Sequence, residues 1–242
     1  MGNAAYQLDD EQGLEDGGMH EVKLAATGFL TVAGLTAYHT SVIVDDQEFL
    51  FDSLGIMVAP PLWSHLAGHS KGKPETDDLQ TEVSVLGRSP MSGRAMAQIL
   101  RPHFMKGSYD ILYKNCNHFT DCALYVLLMQ RLPGKYSRGE RLIMATDPVS
   151  TGIMNRVFKS FIERNTGKPC EVDIYVTNPL AEDFSADEVV AILDEQMEED
   201  DETDDEGYHI GCTKIRPPPC CRQPAQPTSV PNPQVRKVLV AA

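Results

Sequence analysis

The sequence predicts an α+β fold in which short β-strands come first and most of the helices follow. β-branched and aromatic residues concentrate in short segments before residue 60, which is typical of strands. An apolar pattern with helical spacing follows residue 115 and predicts a long helix. The chain has 242 residues, 42% of them apolar, so we expect one domain of about 150 residues with flanking segments.

Five segments are predicted to be strands, four before the long helix and one after it. They cover residues 21–26, 40–45, 48–52, 81–86 and 172–176. The tripeptide Asp45-Asp46-Gln47 joins the second segment to the third and predicts a hairpin turn.

Three helices are predicted in the same region. Ser92 is a candidate N-cap for the first, whose apolar residues share one face. The second covers residues 115–132, where apolar residues recur at i, i+4, i+7 and i+8 before Pro133-Gly134 ends the pattern. The third covers residues 153–164. Cys116 is therefore expected in the first turn of the longest helix.

The composition of the chain divides it into three parts. We expect residues 1–19 to form a flexible leader, residues 20–180 the folded domain, and residues 181–242 an acidic, then Pro-rich and largely disordered tail. Residues 181–206 contain fourteen acidic and no basic residues, so the rest of the chain sums to about zero against a total of −14. Such a tail repels phosphate, so a nucleic-acid-binding role has no electrostatic support and we expect no nucleic-acid partner.

Targeting signals and cofactor motifs are missing from the sequence. It has neither a run of eighteen apolar residues nor a signal-peptide pattern, and we expect a soluble protein of the cytoplasm, the nucleus or both. Gly2 invites N-myristoylation, but Tyr6 stands where that motif has Ser or Thr, so an unmodified start is favoured. The six cysteines lack the paired spacing of zinc ligands, and we predict free thiols, no metal and no cofactor.

Cys116 is the strongest candidate for a reactive group. A helix N-terminus stabilises a thiolate through its partial positive charge and free N–H groups, and the same N–H groups can bind the oxyanion of acyl transfer. The alternative is a buried cysteine that packs as a small hydrophobic residue. His39, at the start of a predicted strand, is the candidate base, and its alternative is a core histidine bonded to the backbone.

Two segments of the chain resemble a known family. The stretch from Tyr109 to Thr120, with its Asn-Cys-Asn-His-Phe core around Cys116, resembles the active-site segment of the PPPDE family, permuted papain-like isopeptidases acting on SUMO or ubiquitin conjugates. Upstream, Tyr38-His39-Thr40-Ser41, then Glu48-Phe49 and Gly55-Ile56, resemble that family's strand motifs. The resemblance covers about residues 20–165.

The resemblance implies a circularly permuted papain-like fold with a Cys116/His39 dyad and neither cofactor nor metal. Asp52 stands where the family has Gly; it could orient the His39 ring or be a solvated hairpin residue. Asn115 and Asn117 flank the nucleophile, where each could support the oxyanion or cap the helix. His118 lies two residues beyond Cys116, so it points about 200° away on the helix and is predicted to be structural.

Three functions are compatible with these motifs. The first is a thiol protease that removes a ubiquitin-like modifier, SUMO or ubiquitin, from protein lysines through a thioester on Cys116. The second is a thioesterase or acyl hydrolase of a related permuted papain-like type, and the third a modifier-binding module without turnover. The sequence does not identify the modifier, the substrates or the oligomeric state.

The start of the acidic tail also allows two interpretations. Ser185 and Glu188 resemble a capping box, and Phe184, Val189, Ile192 and Leu193 lie near one helical face, which favours an amphipathic helix. The run from Val189 to Ile192, followed by acidic residues, also resembles a SUMO-interacting motif, which binds as an added strand.

Overall fold

A computed structural model describes residues 6–7, 18–32, 34–66, 81–146, 149–202 and 235–238. Strands dominate the first part of the chain and helices the second, as an α+β class requires. The described strands are β1 (Tyr6–Gln7), β2 (His20–Val32), β3 (Leu35–Val44), β4 (Gln47–Asp52), β5 (Gly55–Ala59), β6 (Thr81–Ser89) and β7 (Val235–Val238). The described helices are α1 (Trp63–Leu66), α2 (Gly93–Leu100), α3 (Cys116–Leu128), α4 (Arg138–Met144), α5 (Ser150–Thr166) and α6 (Ala186–Glu202).

The described strands form one antiparallel sheet in the order β1-β5-β4-β3-β2-β6-β7. Its centre is the run of hairpins predicted from the alternating segments, and the turn between β3 and β4 falls at Asp45-Asp46. Asp45 has a φ of 53°, a left-handed conformation that Asp tolerates in tight turns. Short strands from near the two ends of the chain pair with the outer strands β5 and β6.

The pairing of β3 leaves a gap that becomes important for the site. On one side, β3 pairs with β2 along its whole length, from Val44 to Leu35. On the other side, β4 pairs only with Val42, Ile43 and Val44. The backbone of β3 around His39 and Thr40 is therefore not paired with β4, and polar groups from elsewhere can bond to it.

Helix α3 packs on the sheet and supplies the centre of the core. Its buried residues join side chains of β2, β3, β4 and β5 in one apolar cluster, to which α2 and α6 also contribute. Members from these elements include Leu24, Val42, Phe49, Phe51, Ile56, Met96, Phe119, Leu124 and Leu193. The helix ends at Leu128, earlier than the predicted residue 132, because Met129 takes a left-handed conformation at the C-cap.

Residues 172–176 are not a strand, which corrects the sequence prediction. Backbone groups of the segment bond instead to a side chain of α5. Asn155 accepts from the N–H groups of Ile174 and Tyr175 and donates to the Tyr175 carbonyl, at 2.8–2.9 Å. The Asn155 amide thus takes the place of a neighbouring strand, which periodicity cannot reveal.

Helix α6 extends the packed unit beyond the predicted boundary at residue 180. Val189 and Leu193 are 4% exposed and lie in the core cluster beside α3. The Ser185 hydroxyl accepts from the Glu188 N–H, as the capping-box interpretation predicts. Residues 186–196 therefore belong to the folded domain rather than to a disordered tail, and the SUMO-interacting strand would require this helix to unfold.

Several predictions concern residues outside the described ranges. Gly2, most of the leader and the Pro-rich stretch at residues 217–233 are among them. Within the described ranges, no helix combines the length and the apolarity needed to cross a membrane.

Candidate active site

The first turn of α3 holds Cys116 in a capped helix N-terminus. The Asn115 side chain accepts from the N–H groups of Asn117 and His118, at 2.9 and 3.2 Å. The His118 ring in turn bonds the Asn115 N–H, completing a capping box. Cys116 lies in the first turn of the helix, as predicted, and is its first residue, since Asn115 is the N-cap. His118 has the structural role expected of it.

The Cys116 sulfur lies against the unpaired part of β3. The Thr40 backbone N–H donates to Sγ, so the thiol sits beside the residue that follows His39. The backbone N–H groups of Asn117 and Cys116 also lie near the sulfur and favour its thiolate. Cys116 is only 7% exposed, and this burial raises the pKa of its thiol to about 12.

The His39 ring has a hydroxyl partner on its outer nitrogen. Nε2 lies 2.7 Å from Oγ of Ser64 in α1, which leaves Nδ1, the nitrogen nearer the backbone, as the second proton site. Burial lowers the pKa of His39 to about 4, so the ring is neutral at physiological pH. The neutral ring carries a lone pair, as a general base requires.

A buried carboxylate lies behind His39. The Ser64 hydroxyl and the Ser64 N–H both donate to Glu48, which is fully buried in β4. Glu48 also accepts from Ser41, whose Oγ lies 2.9 Å from Nε2 of His65. We call His39, Ser41, Glu48, Ser64 and His65 the Glu48 network. Burial raises the pKa of Glu48, against the opposing effect of these hydrogen bonds.

The donor atoms of His39, Glu48 and His65 lie within 4.8 Å of one another, a set that zinc can use. The hydroxyls of the Glu48 network argue against a resident ion. Ser64 bonds both His39 and Glu48, and Ser41 bonds both His65 and Glu48. The serines satisfy the groups that a metal would bind, so the residues fit a hydrogen-bond network rather than a metal centre.

The two asparagines that flank Cys116 have structural partners. Asn115 caps α3 and donates to the Ile111 carbonyl and to Glu140. Asn117 accepts from the Thr40 hydroxyl at 2.8 Å and donates to the Tyr38 carbonyl and to Glu140. Asn117 thus bonds the unpaired backbone of β3 to α3. Its amide, like that of Asn115, bonds within the protein, so the backbone N–H groups beside Sγ are the better candidates for binding an oxyanion.

Two other groups, a carboxylate and a thiol, lie away from Cys116. The Asp52 carboxylate accepts from the Leu54 N–H in the β4–β5 turn. The carboxylate that is linked to His39, through the Ser64 hydroxyl, is Glu48. Cys122 is buried in the core, with Sγ directed at the Ala186 carbonyl of α6. Asp52 therefore matches the hairpin-residue alternative, and Cys122 is a packing residue.

Sequence reasoning gave no functional role to Glu48, Ser64 or Glu140. Glu48 carries a usable signal, because a charged residue precedes the apolar run 49–51 in a central strand. Ser64 and Glu140 lie in short helices that the sequence pattern did not predict. Glu140 accepts from both asparagines through Oε2, and burial raises its pKa to about 7.

Comparison with known proteins gives one assignment. A search of curated proteins found no match for the chain. The family model for the PPPDE putative peptidase domain matches residues 11–156, more than half of the chain, and this range contains His39, Glu48, Ser64, Cys116 and Glu140. The chain therefore belongs to the PPPDE putative peptidase domain family.

Proposed function

We propose that the protein is a cysteine isopeptidase that removes a ubiquitin-like modifier, SUMO or ubiquitin, from protein lysines. In this proposal, Cys116 is the nucleophile, His39 is its base, and the fold is a circularly permuted papain-like fold. The observation that carries the proposal is the position of the Cys116 thiol, at a helix start and hydrogen-bonded by the residue next to His39. Membership in a peptidase family supports the same chemistry.

The first step is attack on the isopeptide carbonyl. His39 Nδ1 takes the proton from the Cys116 thiol as the sulfur bonds to the carbonyl carbon. The carbonyl oxygen becomes an oxyanion, and the backbone N–H groups of Cys116 and Thr40, which lie near Sγ, are candidate donors to it. The Cys116 thiol and the His39 imidazole both start neutral because both are buried. Proton transfer from the thiol to the imidazole therefore accompanies the attack instead of preceding it.

The second step releases the two products in turn. The imidazolium gives its Nδ1 proton to the departing lysine amine, the C–N bond breaks, and a thioester remains on Cys116. A water molecule then attacks the thioester, with His39 again taking a proton. The modifier leaves with a free carboxylate, and the thiol regains its proton.

The limited exposure of the thiol favours a slender substrate. Cys116 is 7% exposed, so a bulky side chain beside the scissile carbonyl would meet protein atoms before reaching it. The C-terminal glycine of a ubiquitin-like modifier has no side chain and can enter such a site. We place this activity in the cytoplasm, the nucleus or both.

An activity-based probe tests the proposal directly. SUMO and ubiquitin carrying a C-terminal vinyl sulfone should label the protein covalently, and Cys116→Ala should abolish labelling, whereas Cys122→Ala should retain it. Labelling by an acyl-phosphonate lipid probe alone would instead identify an acyl hydrolase. Non-covalent binding of the modifier without labelling would identify a binding module.

Turnover measurements then assign the base. His39→Ala should lower kcat for a modifier–lysine conjugate by about 10²-fold or more, because loss of a general base costs that much. A normal rate in the His39→Ala protein would mean that another group accepts the thiol proton.

A further inference from the structure

The Glu48 network has a fixed direction of hydrogen bonding, and this direction determines which nitrogen of His39 carries the proton. An ionised Glu48 can only accept, so the Ser64 hydroxyl proton then points to Glu48. The Ser64 oxygen must then accept from its other partner, His39 Nε2. The His39 proton therefore resides on Nε2, and Nδ1 keeps its lone pair.

We infer that Glu48, acting through the Ser64 hydroxyl, holds His39 in the tautomer and orientation that can accept the Cys116 proton. Glu48 and Ser64 are thus positioning residues for the reaction. This inference deepens the proposed function, on which it rests.

The same carboxylate is held in place by further bonds. The Ser64 N–H donates to Glu48 at 3.2 Å, and Ser41 donates to it from β3. His65 lies 3.6 Å from Glu48 through Nε2, and its Nδ1 lies 2.7 Å from the Thr27 hydroxyl. Glu48 is fully buried, so water does not compete for these bonds. A carboxylate fixed in this way can hold one serine rotamer and one imidazole tautomer.

The network also acts when His39 becomes charged. After His39 takes the thiol proton on Nδ1, the Nε2–H remains bonded to Ser64, whose own proton remains bonded to Glu48. No proton moves along the chain of hydrogen bonds. The carboxylate lowers the free energy of the imidazolium through a charge-assisted chain, in a buried site where such interactions are strong.

Two substitutions separate positioning from packing. Ser64→Ala removes the link between His39 and Glu48. Glu48→Gln keeps the shape, but its amide can donate to Ser64, which would then donate to Nε2 and place the His39 proton on Nδ1. We expect either change to lower kcat by at least about tenfold with KM little changed. Ser64→Thr, which keeps a hydroxyl, should restore much of the rate. Ser108→Ala is the matched control, because Ser108 is also buried and its hydroxyl donates to the nearby Met105 carbonyl.

The deciding measurements need no modifier. The ¹⁵N shifts of the His39 ring should show the proton on Nε2 in the native protein, and a mixed or Nδ1-protonated ring in Ser64→Ala and Glu48→Gln. Alkylation of Cys116 by iodoacetamide, followed by mass spectrometry of its peptide, should slow at least tenfold in both variants. Unchanged ring shifts and alkylation rates in folded variants would overturn the inference. If the native protein showed both signatures but cleaved no modifier conjugate, the proposed function would fail while the positioning role stood.

Discussion

Burial acts on Cys116 and His39 in opposite directions, and both effects favour the neutral pair. It raises the pKa of the Cys116 thiol to about 12 and lowers the pKa of His39 to about 4. The helix N-terminus and the Thr40 N–H favour a thiolate, but the loss of water around the sulfur outweighs them. In the free protein we therefore expect a thiol beside a neutral imidazole, in place of the thiolate–imidazolium pair that a helix-start cysteine suggests.

Glu140 gives this site a titration near neutrality. Its ionisation near pH 7 would place a negative charge near Cys116 and oppose formation of negative charge on the sulfur. We expect kcat/KM to rise as His39 loses its proton near pH 4, and then to fall modestly above pH 7, by about two- to tenfold. Glu140→Gln should remove the decline above pH 7 and leave the acidic limb. A decline that persists in this variant would assign it to another group.

Asp52 provides the matching test for a carboxylate outside the Glu48 network. Because its side chain caps the β4–β5 turn, Asp52→Ala should keep kcat/KM within about threefold of the native value. A loss of tenfold or more, measured in the same assay as Glu48→Gln, would make Asp52 a third member of the catalytic group.

At the scale of single elements, the sequence predicted the parts that follow a simple period. The strands around Val42 and Phe49, the Ser92 cap and the start of α3 at Cys116 all follow from alternation, helical spacing and capping chemistry. Those signals also selected Cys116 and His39 as the candidate nucleophile and the candidate base. Ser64, by contrast, was not predictable, because it reaches His39 from a four-residue helix with no periodic pattern.

Helix α6 packs on α3, although its acidic composition predicted that it would belong to a disordered tail. Acidic residues dominate its sequence, yet Leu193 is 4% exposed while its neighbour Ile192 is 41% exposed. We expect Leu193→Ala to lower the free energy of unfolding by about 2–3 kcal/mol through the cavity it creates. Ile192→Ala, the control on the same helix, should change it by less than about 0.5 kcal/mol. Urea denaturation of both variants measures these changes. Equally small changes in the free energy of unfolding would show that α6 does not contribute to the folded domain.

At the scale of the whole molecule, the site is assembled where the sheet is incomplete. The short β3–β4 ladder leaves backbone groups of β3 unpaired, and α3 fills the gap with Asn117 and the Cys116 sulfur. The Glu48 network reaches His39 through α1. The fold therefore buries several titratable groups together, and the stability of the molecule should depend on pH through them.

The buried histidines and carboxyls act on stability with opposite signs. His39 and His118 have pKa values of about 4 in the folded protein, below the usual 6.5, so their stabilisation is lost as pH falls from 6.5 towards 4. Glu140 has its pKa raised from 4.5 to about 7, so the folded state holds its proton more tightly and its stabilisation is lost as pH rises from 4.5 to 7. Glu48 is shifted in the same direction as Glu140. Between pH 4.5 and 6.5 the histidine and carboxyl contributions therefore oppose each other.

The difference in the free energy of unfolding between Glu140→Gln and the native protein isolates the contribution of Glu140. The contributions of all other titratable groups are common to both proteins and cancel in this difference. The stability of the variant relative to the native protein should rise with pH between 4.5 and 7, by about 1–3 kcal/mol, since the amide does not ionise. Below pH 4.5 and above pH 7 the difference should be constant. Urea denaturation at pH 4.5, 5.5, 6.5 and 7.5 measures the curve, and Glu171→Gln, at an exposed site, controls for the removal of one acidic group. A difference independent of pH would show that Glu140 ionises alike in the folded and unfolded protein, and it would remove the basis for a decline of kcat/KM that begins near pH 7.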